Sequence, residues 1–269
     1  MKARLARRLA QARAAKRKLF CAFVTLGYPD VRSTGKLIQG FASRGVDIVE
    51  LGFPFSDPLA DGPTIQFSSE AAIKRGVTLS DAFRVVRSLR KKGIDIPIIF
   101  FSYLNPIYRS GEQEFPRRLR QAGFDGLIVP DCPPEEDSLL WKACRREGIA
   151  PVFLIAPTTS PERARKIFAR SQGFLYYVSL RGVTGARKAV SRDLVGNLRK
   201  LRRLSRKPIL VGFGVSTPAQ ARRISRFSDG LIVGSAIVDK IRKSNGRLGP
   251  ALSFVQLMTH SLRKGAEKR

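Results

Sequence analysis

Arg44-Gly45-Val46-Asp47-Ile48-Val49-Glu50-Leu51-Gly52-Phe53-Pro54-Phe55-Ser56-Asp57-Pro58-Leu59-Ala60-Asp61-Gly62-Pro63 carries a helix end, a strand and a loop in one short stretch. Gly45 suits the left-handed position that closes a helix before the chain turns into a strand. Ile48, Val49 and Leu51 read as a short strand buried on both faces. The Gly/Pro-rich loop that follows holds two carboxylates, Asp57 and Asp61, near the end of that strand.

The same phrase recurs as Lys92-Gly93-Ile94-Asp95-Ile96, Ala122-Gly123-Phe124-Asp125-Gly126-Leu127 and Glu147-Gly148-Ile149-Ala150-Pro151-Val152. Short apolar runs at Cys21–Leu26, Ile48–Leu51, Ile98–Phe101, Leu127–Val129, Val152–Ile155, Leu175–Val178, Ile209–Val211 and Leu231–Val233 alternate with helical patterns. Near-continuous apolar strands separated by helices imply a parallel sheet covered by helices. Eight such units predict an α/β fold, a single closed (β/α)8 TIM barrel spanning residues 1–269. The competing open, doubly wound sheet lacks its fingerprint, because Gly212-Phe213-Gly214 is followed by Val215, Ser216 and Thr217 with no third glycine in place. Residues 1–18, basic and without an acid, read as an extra N-terminal helix at the bottom of the barrel. An organellar targeting segment has the same composition, but the first strand begins immediately afterwards.

Composition narrows the function classes. No apolar stretch reaches membrane-spanning length, which sets the expectation of a soluble, cytoplasmic protein. Three cysteines (Cys21, Cys132, Cys144) without C-x-x-C spacing read as reduced thiols, and the sole histidine, His260, argues against a Ser–His triad or a His-rich metal site. Lys+Arg 50 against Asp+Glu 21 gives a net charge of +29. Such an excess marks either polyanion binding or a solvated surface. Its concentration in helical stretches such as 84–92, 117–120 and 199–207 favours the second.

In a barrel of this kind the residues just after each strand share one face, which carries the chemistry. Glu50 sits inside an apolar strand, where a carboxylate is costly unless paired, hydrogen-bonded or shifted in pKa. It is therefore a candidate acid/base, the alternative being neutralisation by a Lys or Arg reaching across the barrel. Asp61 is the candidate second carboxylate, or else caps the helix near Pro63. Glycines after the last three strands, Gly182 and Gly185, Gly212 and Gly214, and Gly234 beside Ser235, allow backbone N–H groups to approach an anion, as a phosphate site requires. Thr217 and Ser235 also suit helix caps, and Asp131 suits the ordering of its own turn. Phe23, Tyr176 and Phe213 fill the barrel top or flank a flat apolar substrate.

Glu50-Leu-Gly-Phe-Pro-Phe-Ser-Asp-Pro-Leu-Ala-Asp-Gly-Pro63, Ile128-Val-Pro-Asp131, Gly182-Val-Thr-Gly-Ala-Arg187, Val211-Gly-Phe-Gly-Val-Ser-Thr-Pro218 and Val233-Gly-Ser-Ala236 resemble the tryptophan synthase alpha chain family, in the family's order. The resemblance implies a carbon–carbon lyase that cleaves indole-3-glycerol phosphate to indole and glyceraldehyde 3-phosphate by a retro-aldol reaction. It makes Glu50 the proton shuttle at the indole C3 carbon and Asp61 the group that stabilises charge on the indole through its N–H. Gly185, Gly214, Gly234 and Ser235 match phosphate-contacting positions, and Thr184 matches the threonine that orders Asp61. Phe23, Tyr176 and Phe213 match aromatic positions around the indole. The resemblance implies no cofactor and no metal in this chain. Pyridoxal phosphate belongs to a partner beta chain, expected in an alpha2beta2 assembly that meets this chain near Asp57, Pro58 and Asn105. Arg181 and the high charge depart from the family pattern. The competing readings are a stand-alone lyase without a partner and a non-catalytic barrel that binds a protein or nucleic acid. The second lacks aromatic residues interleaved with its basic runs.

Overall fold

The structure, a computed structural model, describes residues 4–136, 139–178, 192–212 and 214–264. Its strands are β1 (Leu19–Thr25), β2 (Ile48–Gly52), β3 (Ile98–Phe101), β4 (Gly126–Ile128), β5 (Ala150–Pro151), β6 (Leu154–Ile155), β7 (Leu175–Val178), β8 (Ile209–Gly212) and β9 (Gly230–Val233). They form one sheet in the order β5-β4-β3-β2-β1-β9-β8-β7-β6, and every pairing is parallel.

The two ends of that order are neighbours in sequence. Only Val152 and Phe153 separate β5 from β6. The Val152 N–H donates to the Leu127 carbonyl at 3.0 Å, and the Phe153 carbonyl accepts from the Tyr176 N–H at 3.2 Å. One extended stretch thus pairs with β4 through its first half and with β7 through its second. The sheet closes into the barrel expected from eight apolar runs. The fifth run begins two residues earlier than its hydrophobicity suggests, because Ala150 and Pro151 carry the pairing to β4.

Gly45, Gly93, Gly123 and Gly148 have φ of 75°, 74°, 96° and 69°. They occupy the left-handed conformation that the repeated phrase predicts. Residue 1–18 is helical over α1 (Arg4–Ala14), whose Leu5, Leu9 and Ala12 form the buried stripe.

Two aspartates of the repeated phrase, and a third outside it, do more than turn the chain. Asp47, Asp125 and, outside the phrase, Asp229 each precede a strand and accept a backbone N–H from the foot of the neighbouring strand: Phe20 at 3.0 Å, Ile98 at 2.9 Å and Ile209 at 2.9 Å. Each also holds arginine. Arg17 reaches Asp47 at 2.6 Å, Arg202 reaches Asp229 at 2.6 Å, and Arg4 and Arg90 both reach Asp125 at 2.9 Å. Other basic side chains, including Arg84, Arg87, Arg117, Arg120, Arg199 and Arg203, face solvent. The positive excess therefore lies chiefly on the outer helices, as its distribution in sequence predicts. Among the described residues no helix is long and apolar enough to cross a membrane.

Asp125 is 4% exposed and serves three donors. Asp125→Ala would leave two arginines and a strand N–H without their acceptor, and breaking such a buried pair costs about 3–5 kcal/mol. Urea unfolding of the variant should show a loss of that order, with an unchanged denaturant slope.

Candidate active site

The register of the first three strands fixes the position of Glu50. Glu50 lies opposite Phe23 of β1 and Ile99 of β3, and it is 0% exposed. Its Oε1 accepts from the Cys21 thiol at 3.5 Å, whereas Oε2 has no hydrogen-bond partner among the described residues. Burial pushes the carboxyl up to about 8, and the Cys21 hydrogen bond acts against that rise. No Lys or Arg side chain neutralises it among the described residues, so the barrel-crossing cation considered from sequence does not occur there.

Asp61 lies in the loop between β2 and α3 (Pro63–Lys74). The capping alternative fails. The N-cap of α3 is Gly62, which makes no side-chain cap bond, and Asp61 contributes only its carbonyl, which accepts from Gln66 Nε2 at 2.9 Å. Burial raises the Asp61 carboxyl to about 6, and a hydrogen bond from the Tyr103 hydroxyl opposes the rise. The same hydroxyl accepts the Ala60 N–H at 3.0 Å, and the Tyr103 ring stacks on Phe55 at 5.2 Å. Tyr103 thus clamps the loop from the top of β3.

Three aromatic positions were expected above these acids. Phe23 packs edge-on against Phe101, with ring centroids 5.8 Å apart. Its ring lies over Gly52 and Gly234, where an added Cβ would come within 2.4 Å and 3.1 Å of its atoms. Tyr176 of β7 lies over Gly212 in the same way, 2.7 Å from such a Cβ. Burial first, and then the charges of Glu50, Cys21 and Asp61, raise the Tyr176 phenol well above its ordinary range. Tyr176, Glu50 and Asp61 therefore share one electrostatic environment. Phe213 lies outside the described residues.

Of the anion-binding candidates, Gly214 has φ 61° with open space beside it. The pairing of Gly212 with Ile232 sets the chain ends leading to Gly214 and Gly234 side by side. Gly234 is the N-cap of the helix Ser235–Lys243 and provides no side-chain cap, which leaves the Ser235 and Ala236 N–H groups for another acceptor. Ser235 is the first helical residue rather than the cap. Thr217 does cap α10 (Pro218–Ser225), accepting from the Gln220 N–H at 3.2 Å. Thr184, Gly185 and Arg181 lie outside the described residues.

Asp131 differs from its expected role. Both its carboxylate oxygens accept the Leu104 N–H, at 2.9 and 3.1 Å, so it orders the loop after β3 instead of its own turn. Asp57 and Asn105 are exposed and Pro58 is partly so. Between them Leu59 is 94% exposed, and Tyr108 is 68% exposed. Among the described residues no group of three or more His, Cys, Asp or Glu side chains is placed to hold a metal ion.

Cys21 and Tyr103 were missed in the sequence. Tyr103 follows a strand directly, a position that signals the active face. Cys21 gave no signal, because its contact with Glu50 exists only across two paired strands.

Comparison with known proteins agrees with this geometry. The sequence profile described as tryptophan synthase alpha chain matches residues 9–266. The tryptophan synthase alpha chain of Dehalococcoides mccartyi is 44% identical over 92% of this chain and 96% of its own length. That of Caulobacter sp. strain K31 is 44% identical over 89% of this chain and 87% of its own. The crystal structure of tryptophan synthase subunit alpha from Legionella pneumophila superposes with a TM-score of 0.90 at 32% identity, covering 100% of both chains. A barrel with two carboxyls of raised pKa at one end, matched over nearly its whole length by these proteins, leads to one assignment: the chain belongs to the tryptophan synthase alpha chain family.

Proposed function

We propose that this chain cleaves indole-3-glycerol phosphate into indole and glyceraldehyde 3-phosphate, with Glu50 as acid and base and Asp61 as the partner of the indole N–H. The observation that carries this reading is a fully buried Glu50 carboxyl held at about 8, with no cation beside it among the described residues, together with an Asp61 carboxyl held at about 6. Near neutral pH the first is largely protonated and the second largely ionised. The two groups then divide the chemistry.

Protonated Glu50 delivers its proton to ring carbon C3, and the positive charge that spreads to the ring nitrogen is stabilised by the Asp61 carboxylate. Glu50, now a carboxylate, removes the proton of the glycerol hydroxyl next to the ring. The bond between ring carbon and side chain breaks, its electrons restore the indole, and the oxygen becomes the aldehyde. Glu50 ends protonated, so the cycle needs no net proton and no cofactor in this chain.

Phe23 and Tyr176, with Phe213, flank the indole. Gly214, Gly234 and Ser235, with Gly185, bind the phosphate through backbone N–H groups and the helix dipole, and Thr184 orders Asp61. Exposed Asp57, Leu59 and Asn105, with partly exposed Pro58, support docking of a tryptophan synthase beta chain, which would carry the pyridoxal phosphate, in an alpha2beta2 complex. A partner seated there would restrain the Asp61 loop and couple its state to cleavage.

Glu50→Gln should lower indole release by at least about 10³-fold with the fold intact, and Asp61→Asn by about 10²-fold or more with substrate still bound. Near-normal turnover in Glu50→Gln would remove its assigned role. Turnover against pH should be bell-shaped, falling below about 6 as Asp61 is protonated and above about 8 as Glu50 loses its proton.

The same carboxyl shapes stability. The unfolded chain releases this proton near 4.5 and the folded chain near 8, so the folded state is favoured most below 4.5 and loses that advantage as the pH rises through 8. The stability of Glu50→Gln relative to the parent should therefore rise steadily between these values, as measured by chemical denaturation.

Gly214→Val, which forces a branched side chain into left-handed backbone and fills the open space through which an anion would approach, should weaken substrate and inorganic phosphate binding together in calorimetry. Equal affinity for phosphorylated and dephosphorylated substrate in the parent would contradict the phosphate site.

A further inference from the structure

We propose that Cys21 is the positioning residue of the acid/base, its thiol fixing Oε1 of Glu50 so that Oε2 is the oxygen that exchanges protons with the substrate. This rests on the reading of Glu50 as proton shuttle. It goes beyond that reading by assigning different work to the two carboxyl oxygens.

The argument begins with geometry. Cys21 is 0% exposed on β1 and its Sγ lies 3.5 Å from Oε1 of an equally buried Glu50. Oε2 is buried as well, yet among the described residues it has no partner. A carboxyl without restraint rotates about its terminal bond and presents either oxygen. One donor on Oε1 removes that freedom and leaves a single oxygen to aim.

The other titratable groups coupled to this pair are Asp47 at the foot of β2, which acts on Cys21, and Tyr176 on β7, which feels both Glu50 and Cys21. No hydrogen bond joins the Tyr176 hydroxyl to Oε2. Cys21 is thus the sole hydrogen-bond donor to the Glu50 carboxyl among the described residues.

A thiol suits this position. Burial, and next the neighbouring Glu50, raise the Cys21 thiol well above its ordinary value, so it remains a donor across the working pH range. It is also a weak donor. A cationic donor, a lysine or arginine, would hold Glu50 ionised and remove the acid needed for the first proton transfer. The thiol offsets only part of the cost of burial, and the carboxyl remains able to work in both directions.

The test compares Cys21→Val and Cys21→Ala, which remove the donor, with Cys21→Ser, which restores one. Loss of the donor should shift the alkaline limb of the turnover profile upward by about one pH unit, which corresponds to one hydrogen bond to a charged group. The acid limb set by Asp61 should stay in place. Turnover at neutral pH should fall about tenfold and KM change less than about twofold, because binding does not use Oε1. Cys21→Ser should recover most of the loss.

Titration of the Glu50 carboxyl by 13C NMR, assigned with Glu50→Gln, reads the same pairing without substrate. Folded Cys21→Val and Cys21→Ala proteins with unmoved NMR midpoint and alkaline limb would overturn the proposal. A midpoint that moves while the rate profile does not would uphold the pairing and defeat the role of Glu50 itself.

Discussion

A carboxyl enclosed in an apolar barrel, with no cation beside it among the described residues, is the constraint on which the site depends. Glu50 has Phe23 and Ile99 across its strand pairs and, among those residues, one thiol on Oε1 and nothing on Oε2. Left ionised, such a group would cost far more than one weak hydrogen bond returns. The fold tolerates it by keeping it protonated to about pH 8, and that tolerance is what makes it a proton donor in neutral solution. A lysine reaching across the barrel would remove both the cost and the chemistry.

The opposite end of the barrel treats its acids in the reverse way. Asp47 and Asp125 are nearly as buried as Glu50, but each receives arginine and a strand N–H. Paired carboxylates knit the feet of adjacent strands, while the unpaired one at the top remains reactive. The difference follows from the elements available. Below the strands lie α1 and the helix ends with their arginines; above them, among the described residues, lie loops rich in glycine and proline such as 53–63. Part of the basic excess is thereby structural, although most of it faces water.

Glycine at the strand tops sets the width of the site. Phe23 lies over Gly52 and Tyr176 over Gly212 at distances no Cβ would permit, and Phe23 also packs tightly against Gly234. Two aromatic rings can therefore lie along neighbouring strands at the level of the acids, forming apolar walls of the kind a flat ring system needs. These glycines act through the room they leave. Gly45, Gly93, Gly123 and Gly148 act through the backbone conformation they allow.

Much of this was legible in sequence for a physical reason: helix ends, strand lengths and buried runs are local, and the repeated Gly-x-Asp phrase marks them directly. Eight apolar runs led to the barrel, and a carboxylate inside one of them drew attention to Glu50. The motifs that carry the family resemblance are also contiguous. What sequence left open were contacts made by closure. Whether Glu50 had a cation, whether Asp61 capped its helix and where Asp131 pointed each depended on residues from another strand or loop. The answers came from Cys21, Tyr103 and Leu104 respectively, the first 29, the second 42 and the third 27 positions away. The sequence determined which strands and loops exist and which acids they carry. Only the parallel register, which sets β1 against β2 and β2 against β3, decided which donors those acids would meet, because side chains so far apart in the chain become neighbours only when the sheet closes.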